Sequence, residues 1–373
     1  MRMSHGRENL SNMNDINIRG DLTRFKQALA KGKVKIGFAG GSITTAKTLS
    51  NWPTYIRGWF VDSFKDVRLT VVNSAIGATG SLCALSLAKK EFIDTSCDLV
   101  FVEFAVNDNG ADRDERMRTR EGLIRKLLSA NIDVVIVYTF YQSMFKQADN
   151  GEIPDSIADF EKLAEHYCIS SVYMANAAYD RVKRGMIPWN MWLPDGTHPK
   201  NLGSYFYAEK VIEYLEAELA RNDGINTPKG ENMPAPLHEM NWQNTEEIPF
   251  EQVKTNGSWS VEREVFIPWF EEKLYTYAPH DSLSFEFEGR GLAIVFSYGK
   301  SSGKIEYSID GGEWQEYAYE RCWWVPDENF TNAVRFADDL KLGKHTFDLR
   351  VTHGDAEGYT SSDCKILKIF AVK

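Results

Sequence analysis

The sequence predicts a doubly wound α/β domain built on a parallel sheet, followed by an all-β sandwich. Three observations carry this. Short apolar, β-branched runs alternate with helical patterns through the first half of the chain. A proline-rich polar stretch then interrupts the pattern. Beyond it the apolar residues recur with period two, between glycine-containing turns. Alternating β and α patterns imply parallel strands with crossover helices, and many short alternating strands imply a sandwich. A chain of 373 residues is also long enough for two domains.

The strands of the first domain are read at 34–40, 69–75, 99–106, 134–140 and 171–175. Each is a near-continuous apolar run, as expected of central strands covered on both faces. Helices are read near 53–64, 81–92, 113–130 and 156–167. Pro53 suits a first helical turn, where no backbone N–H is needed. After Pro199, the residues Leu202, Tyr205, Phe206, Ile212, Leu215 and Leu219 share one face at helical period. That helix stops near Arg221-Asn222-Asp223-Gly224. The stretch 224–254, with Pro228, Pro234 and Pro236, is predicted to be a linker between domain 1–223 and domain 255–373. In the last part, Ser284-Phe285-Glu286-Phe287-Glu288 and Ile305-Glu306-Tyr307-Ser308-Ile309 alternate, and Asp310-Gly311-Gly312 supplies a tight turn.

The net charge of −10 excludes a general affinity for nucleic acid or an anionic membrane, and suits a neutral substrate. No apolar run approaches the roughly 18 residues of a membrane-spanning helix. Residues 1–21 lack the apolar core of a signal peptide, and the five cysteines are scattered without CxxC spacing. These features lead to the expectation of a cytoplasmic protein with reduced thiols, Cys83 and Cys97 among them serving as packing residues. His166, His238, His280, His345 and His353 show no metal-ligand spacing, so neither a metal nor a cofactor is expected.

Two motifs carry the chemistry. Gly40-Gly41-Ser42-Ile43-Thr44 puts a serine directly after the first strand. Asp195-Gly196-Thr197-His198-Pro199 puts a carboxylate and an imidazole three residues apart, just before the last helix. Ile76-Gly77-Ala78-Thr79-Gly80 follows the second strand and Asn107 the third. In a doubly wound sheet all four segments fall at the carboxyl edge, where sites form. Ser42 is a weak nucleophile that needs a base. His198 can take its proton, and Asp195 can hold the other ring nitrogen. Glu103, inside an apolar strand, is expected to be a structural carboxylate with a partner.

On these residues the chain, across roughly 30–222, resembles the SGNH (GDSL-type) hydrolases. The resemblance implies a flavodoxin-like three-layer fold, Ser42, Asp195 and His198 as the catalytic triad, and an oxyanion hole at Ser42, Gly77 or Ala78, and Asn107. The usual glycine of the second block is displaced: Gly77 precedes Ala78, and an alanine can serve there if its φ is negative. The β-sandwich, of jelly-roll type, resembles a carbohydrate-binding module. Its Trp323-Trp324 pair, with Trp52 and Trp192 of the first domain, is expected to contact a sugar. The two-domain layout resembles that of bacterial mannan O-acetylesterases. The resulting expectation is an acetylesterase acting on acetylated oligosaccharides, best matched to β-manno-oligosaccharides. A xylan-type acetylesterase, or a short-chain acyl esterase or thioesterase whose β-domain only packs or dimerises, stands as the alternative. A non-catalytic sugar-binding protein ranks last because the triad is whole. The layout also allows a homodimer.

Overall fold

Five strands of the first unit run in one direction. The computed structural model describes residues 14–45, 51–319, 328–353 and 362–373. Strand β1 (Ile16–Asn17) and helix α1 (Thr23–Ala30) lead into β2 (Lys33–Gly40), α2 (Trp52–Ser63), β3 (Arg68–Asn73), α3 (Ser81–Ala88) and β4 (Leu99–Glu103). Then come α4 (Arg113–Ser129), β5 (Asp133–Val137), α5 (Phe145–Asp149), α6 (Asp155–His166), β6 (Ser171–Val172), α7 (Met174–Lys183), α8 (Trp189–Trp192) and α9 (Asn201–Ala220). The sheet order is β1-β6-β5-β4-β2-β3, parallel except for β1. Counting only the parallel strands, this is the flavodoxin-like order 2-1-3-4-5, whose direction of winding reverses between β2 and β4. The site is therefore to be sought at the carboxyl ends of those two strands.

The central strands β4 and β5 are buried at every residue. β3 is not, contrary to the expectation for an apolar run. It lies at the sheet edge with one neighbour, and Arg68, Thr70 and Val71 are exposed. The run predicted as a strand to residue 175 pairs for only two residues, because the alanine-rich Met174-Ala175-Asn176-Ala177-Ala178 starts a helix. Asn51 caps α2, its Oδ1 accepting from the Thr54 amide at 3.2 Å, with Pro53 in the first turn.

The second unit begins at Trp242. One sheet has the order β15-β12-β17-β10-β9: β15 (Phe330–Ala337), β12 (Gly291–Tyr298), β17 (Cys364–Val372), β10 (Glu272–Thr276) and β9 (Ser260–Arg263). β7 (Thr245–Glu247) pairs with the far end of β17. The other sheet has the order β14-β13-β16-β11-β8: β14 (Gln315–Tyr317), β13 (Ile305–Ile309), β16 (Gly343–Val351), β11 (Ser282–Gly289) and β8 (Lys254–Asn256). The two sheets face each other across Phe336 of β15. Its ring lies 4.7 Å from Tyr307 and 5.1 Å from Phe347. In β11, Leu283, Phe285 and Phe287 point inward and the intervening Glu286 and Glu288 outward, as the alternation predicts. The Asp310-Gly311 turn has positive φ at both residues, 54° and 67°, the type I′ geometry that suits a hairpin.

The stretch expected to be a linker is divided between the units. His238 is held in the first, its ring and amide bonded to Glu121. Trp242 is fully buried in the second, its indole donating to Asp338 at 2.8 Å, and β7 joins the sheet. Prolines mark a chain without its own regular structure, but they do not stop an indole from being buried.

Candidate active site

At the end of β2 the chain turns sharply at Gly40-Gly41-Ser42. The amides of Thr44 and Thr45 both donate to the Gly41 carbonyl, at 3.1 and 3.0 Å. The absence of a side chain at Gly41 is what lets Asn107 close in: a Cβ there would stand 1.9 Å from Asn107 Oδ1. Below the turn lies Glu103, fully buried. It accepts from Thr44 Oγ1 at 3.0 Å, from Thr139 Oγ1 at 2.5 Å and from the Gly41 amide. The partner expected for a buried carboxylate is thus a set of hydroxyls and one amide, with no cation among them. Burial pushes the Glu103 carboxyl above the usual carboxylate range, against the pull of those hydrogen bonds.

Asp195, Gly196, Thr197 and His198 form the loop before α9. Gly196 has φ +80°, a left-handed conformation that glycine takes at little cost. The turn lets one carboxylate do two jobs. Asp195 Oδ1 accepts from the amides of Thr197 and His198 at 2.9 and 2.7 Å, while Oδ2 accepts from His198 Nδ1 at 2.8 Å. On the far side of the ring, Nε2 lies 2.7 Å from Ser42 Oγ. Burial raises the Asp195 carboxyl, but the His198 amide, the His198 ring and the Thr197 amide outweigh it and hold the group below the usual range. Asp195 therefore stays ionised through mildly acid pH. Nδ1 carries the proton it donates to Asp195, which leaves Nε2 free to accept from the serine.

The remaining two segments converge on the same place. Gly77 lies against the nucleophile, its Cβ position being 3.8 Å from Ser42 Cβ. None of the backbone hydrogen bonds of the described residues uses the amide of Ser42, Gly77 or Ala78. The loop carrying Asn107 is anchored by the next residue. Asp108 is buried, with Oδ1 accepting from the Ser81 amide at 2.9 Å and Oδ2 from Arg120 Nε at 2.8 Å. Arg120 is fully buried and also donates to the carbonyls of Ser156 and Phe104, at 2.7 and 3.0 Å. The sequence carries no separate signal for this anchor, since Arg120 is one of six basic residues on α4, with Arg113, Arg116, Arg118, Arg125 and Lys126.

Ala78 departs from expectation. Its φ is +61°, not negative. The sign of φ sets the strain at its Cβ and does not take away the backbone N–H, so the amide can still donate. For an L-residue with a Cβ this conformation costs about 1 kcal/mol or slightly more. Replacing Ala78 with glycine should relieve it, and Ala78→Gly is expected to be more stable by about 0.5–1 kcal/mol in urea unfolding. A loss of stability would mean that the alanine methyl contributes more by packing than its backbone loses by strain.

The expected sugar-contacting tryptophans are not all available for that role. Trp52 and Trp192 are fully buried. Trp52 packs edge-on to Phe38 and Phe101, and its indole donates to Thr44 Oγ1 at 3.1 Å. Trp192 packs against Phe140 and Tyr179 and donates to the Tyr207 hydroxyl at 3.2 Å. Both are structural supports of the site. Trp323 and Trp324 lie outside the described residues. Cys83 and Cys97 are buried, and burial pushes their thiols up to about 12 and about 11, so neither is a nucleophile at neutral pH.

No protein-family model and no curated protein matches the chain. Solved structures do. A two-domain esterase (CEX) active on acetylated mannans superposes with a TM-score of 0.79 at 20% identity, covering 96% of this chain and 97% of that one. The same esterase co-crystallised with mannopentaose gives 0.78 at 20% identity, with 96% of each chain covered. At this identity the likeness is one of fold, and it spans both units. The architecture here, a flavodoxin-like α/β domain followed by a β-sandwich, is the fold of that two-domain esterase.

Proposed function

We propose that this chain is a serine esterase of the SGNH type that removes acetyl groups from oligosaccharides, with β-manno-oligosaccharides as the best-matched substrate. The observation that carries the proposal is the relay from Asp195 to His198 to Ser42, with 2.8 and 2.7 Å links, at the switch point of the sheet. The two-domain likeness to an esterase active on acetylated mannans supports the choice of sugar.

The steps follow from the geometry. Ser42 Oγ attacks the ester carbonyl carbon as its proton passes to His198 Nε2. The carbonyl electron pair moves onto oxygen, where the amides of Ser42 and of the Gly77-Ala78 turn, together with Asn107 Nδ2, stabilise it. The intermediate collapses by breaking the bond to the alcohol oxygen, which takes the proton from Nε2 and leaves. Water then repeats the sequence on the acyl-serine, releasing acetate and restoring the serine.

One feature of the β-unit supports the sugar reading. The unit carries a groove of about 260 Å³ in which half-exposed Trp314 stands among polar groups that include Lys254, Asn256 and Ser282. The Arg350 guanidinium lies over one face of the Trp314 ring, 4.4 Å from its centroid, so a sugar ring would use the other face and the polar groups beside it.

The test is acetate release from acetylated manno- and xylo-oligosaccharides. Release from the manno-series above that from a blank is expected, and its absence from both series would overturn the reading. Activity that climbs with acyl length in a nitrophenyl ester series would favour a short-chain acyl esterase instead. The pH profile is a further check. His198 must be neutral to accept the serine proton, while Asp195 stays ionised. kcat/KM should therefore fall toward acid pH, because a base that already holds a proton cannot take the one on the serine. A profile that stays flat on acidification while the protein remains folded would remove His198 from the role of base.

A further inference from the structure

One carboxylate beneath the nucleophile turn has no part in the steps above. Glu103 is the last residue of β4, a strand buried at every position. Its register partner in β2 is Gly40, the residue from which the turn begins. Glu103 thus stands at the switch point of the sheet, one strand away from the serine. A buried carboxylate is costly, and for the core alone an apolar residue like those at 99–102 would serve better. Residues that break such a local rule collect where a protein needs a particular geometry.

Glu103 holds the chain on both sides of Ser42. The Gly41 amide, one residue before the serine, donates to it. Thr44 Oγ1, two residues after the serine, donates to its Oε2 at 3.0 Å. Thr44 is fully buried and is fixed by further bonds. Its hydroxyl accepts from the Trp52 indole at 3.1 Å, and its carbonyl accepts from Asn73 Nδ2 at 2.9 Å and from Asn51 Nδ2 at 3.1 Å. The other carboxylate oxygen accepts from Thr139 Oγ1 at 2.5 Å, which anchors Glu103 to the chain just after β5.

The two glycines make room for this arrangement. A Cβ on Gly40 would stand 2.7 Å from Thr44 Oγ1, and one on Gly41 would collide with the Asn107 side chain. The residue whose amide Glu103 holds is therefore the one against which Asn107 rests. Nucleophile and oxyanion donor share one support.

Resting on the esterase reading above, we infer that Glu103 is a positioning residue of the reaction, which through Thr44 and the Gly41 amide holds the Ser42 hydroxyl in place for His198 and Asn107. Without it the turn can relax, and a nucleophile misplaced by about 1 Å costs about 100-fold in rate.

The test is hydrolysis of 4-nitrophenyl acetate by the full-length protein, with kcat expressed per folded molecule from gel filtration and circular dichroism. Glu103→Ala is expected to lower kcat about 100-fold with KM within about threefold of the wild type, since the contact serves the transition state and not binding. Glu103→Gln returns one oxygen to the turn and can point its NH2 at the Thr139 hydroxyl. It is expected to recover kcat to within about fivefold of the wild type. Thr44→Val keeps the side-chain shape and removes one of the two holds, for an expected loss in kcat of about tenfold; it reads the same role should Glu103→Ala not fold. Thr139→Val takes a hydrogen bond from the same carboxylate but leaves both holds on the turn. Its thermal midpoint should fall while kcat stays within about threefold of the wild type. Wild-type kcat in folded Glu103→Ala or Thr44→Val would overturn the positioning role and leave the esterase reading standing. So would a glutamine variant as slow as the alanine one, or a loss of kcat in Thr139→Val equal to that in Thr44→Val. A wild type that hydrolyses neither 4-nitrophenyl acetate nor an acetylated oligosaccharide would overturn the esterase reading itself, and the positioning role with it.

Discussion

Ser42→Ala should lower kcat for acetyl ester hydrolysis by about 10⁴–10⁶-fold. The substitution removes the atom that bonds the carbonyl carbon. What remains is the polarising effect of the oxyanion donors, typically about 10³–10⁴ over the uncatalysed rate. The fold should hardly notice. Ser42 is part-exposed, and the contact its hydroxyl makes is with His198 Nε2. The thermal midpoint of the variant is therefore expected to stay within about 2 °C of the wild type, since surface changes of this kind move stability by less than about 0.5 kcal/mol. His198→Ala should lose nearly as much activity, and the double variant little more than either, because the groups act as one unit. Acetate release followed to a single turnover would check this. A Ser42→Ala protein that is folded and keeps more than a hundredth of the wild-type rate would mean that another group makes the attack.

The largest expected effect on stability lies behind the site. Arg120→Met should destabilise the first unit by about 3–5 kcal/mol, because it leaves Asp108 buried without its cation. For a unit of this size the corresponding fall in thermal midpoint is about 10 °C. The lost interactions are not limited to the ion pair. Arg120 also spans the carbonyls of Phe104 and Ser156, and its guanidinium lies over the Phe160 ring at 4.6 Å. Part of the loss should return when the charge left behind is removed too, so Asp108→Asn with Arg120→Met is expected to be more stable than Arg120→Met alone. Urea unfolding of the three variants would measure this. Equal stability of Arg120→Met and the wild type would show that the pair contributes no more than its own desolvation costs.

Much of the site was legible because its chemistry is tied to strand ends. Gly-Gly-Ser after one apolar run, Asn107 after another and Asp195 to His198 before a helix could each be read as local signals. A parallel sheet then brings them together, whatever the details of packing. What escaped the sequence depends on three-dimensional neighbours. Trp52 and Trp192 sit beside the motifs in sequence, but whether an indole faces a cleft or a core is decided by the helix face it occupies, and both faces turn inward. Glu103 stands out in an apolar run as a buried carboxylate, yet its partners Thr44 and Thr139 are 59 and 36 residues away. The positive φ of Ala78 breaks the preference of its residue type, so no propensity argument would find it. The short pairing of β6 and the exposed edge at β3 reflect position in the sheet, which composition does not encode.

The approach of Asn107 to Gly41 makes one mechanical part of what a mechanism draws as two. The backbone that presents the attacking oxygen is the surface on which the charge-stabilising amide rests. A shift in one must carry the other along, so the distance from nucleophile to oxyanion site stays constant while the rest of the cleft adapts to different leaving alcohols. Directed evolution of the proposed esterase toward new alcohols can therefore work freely on the loops around the site, whereas libraries that vary position 41 would mostly return proteins in which attack and stabilisation no longer coincide.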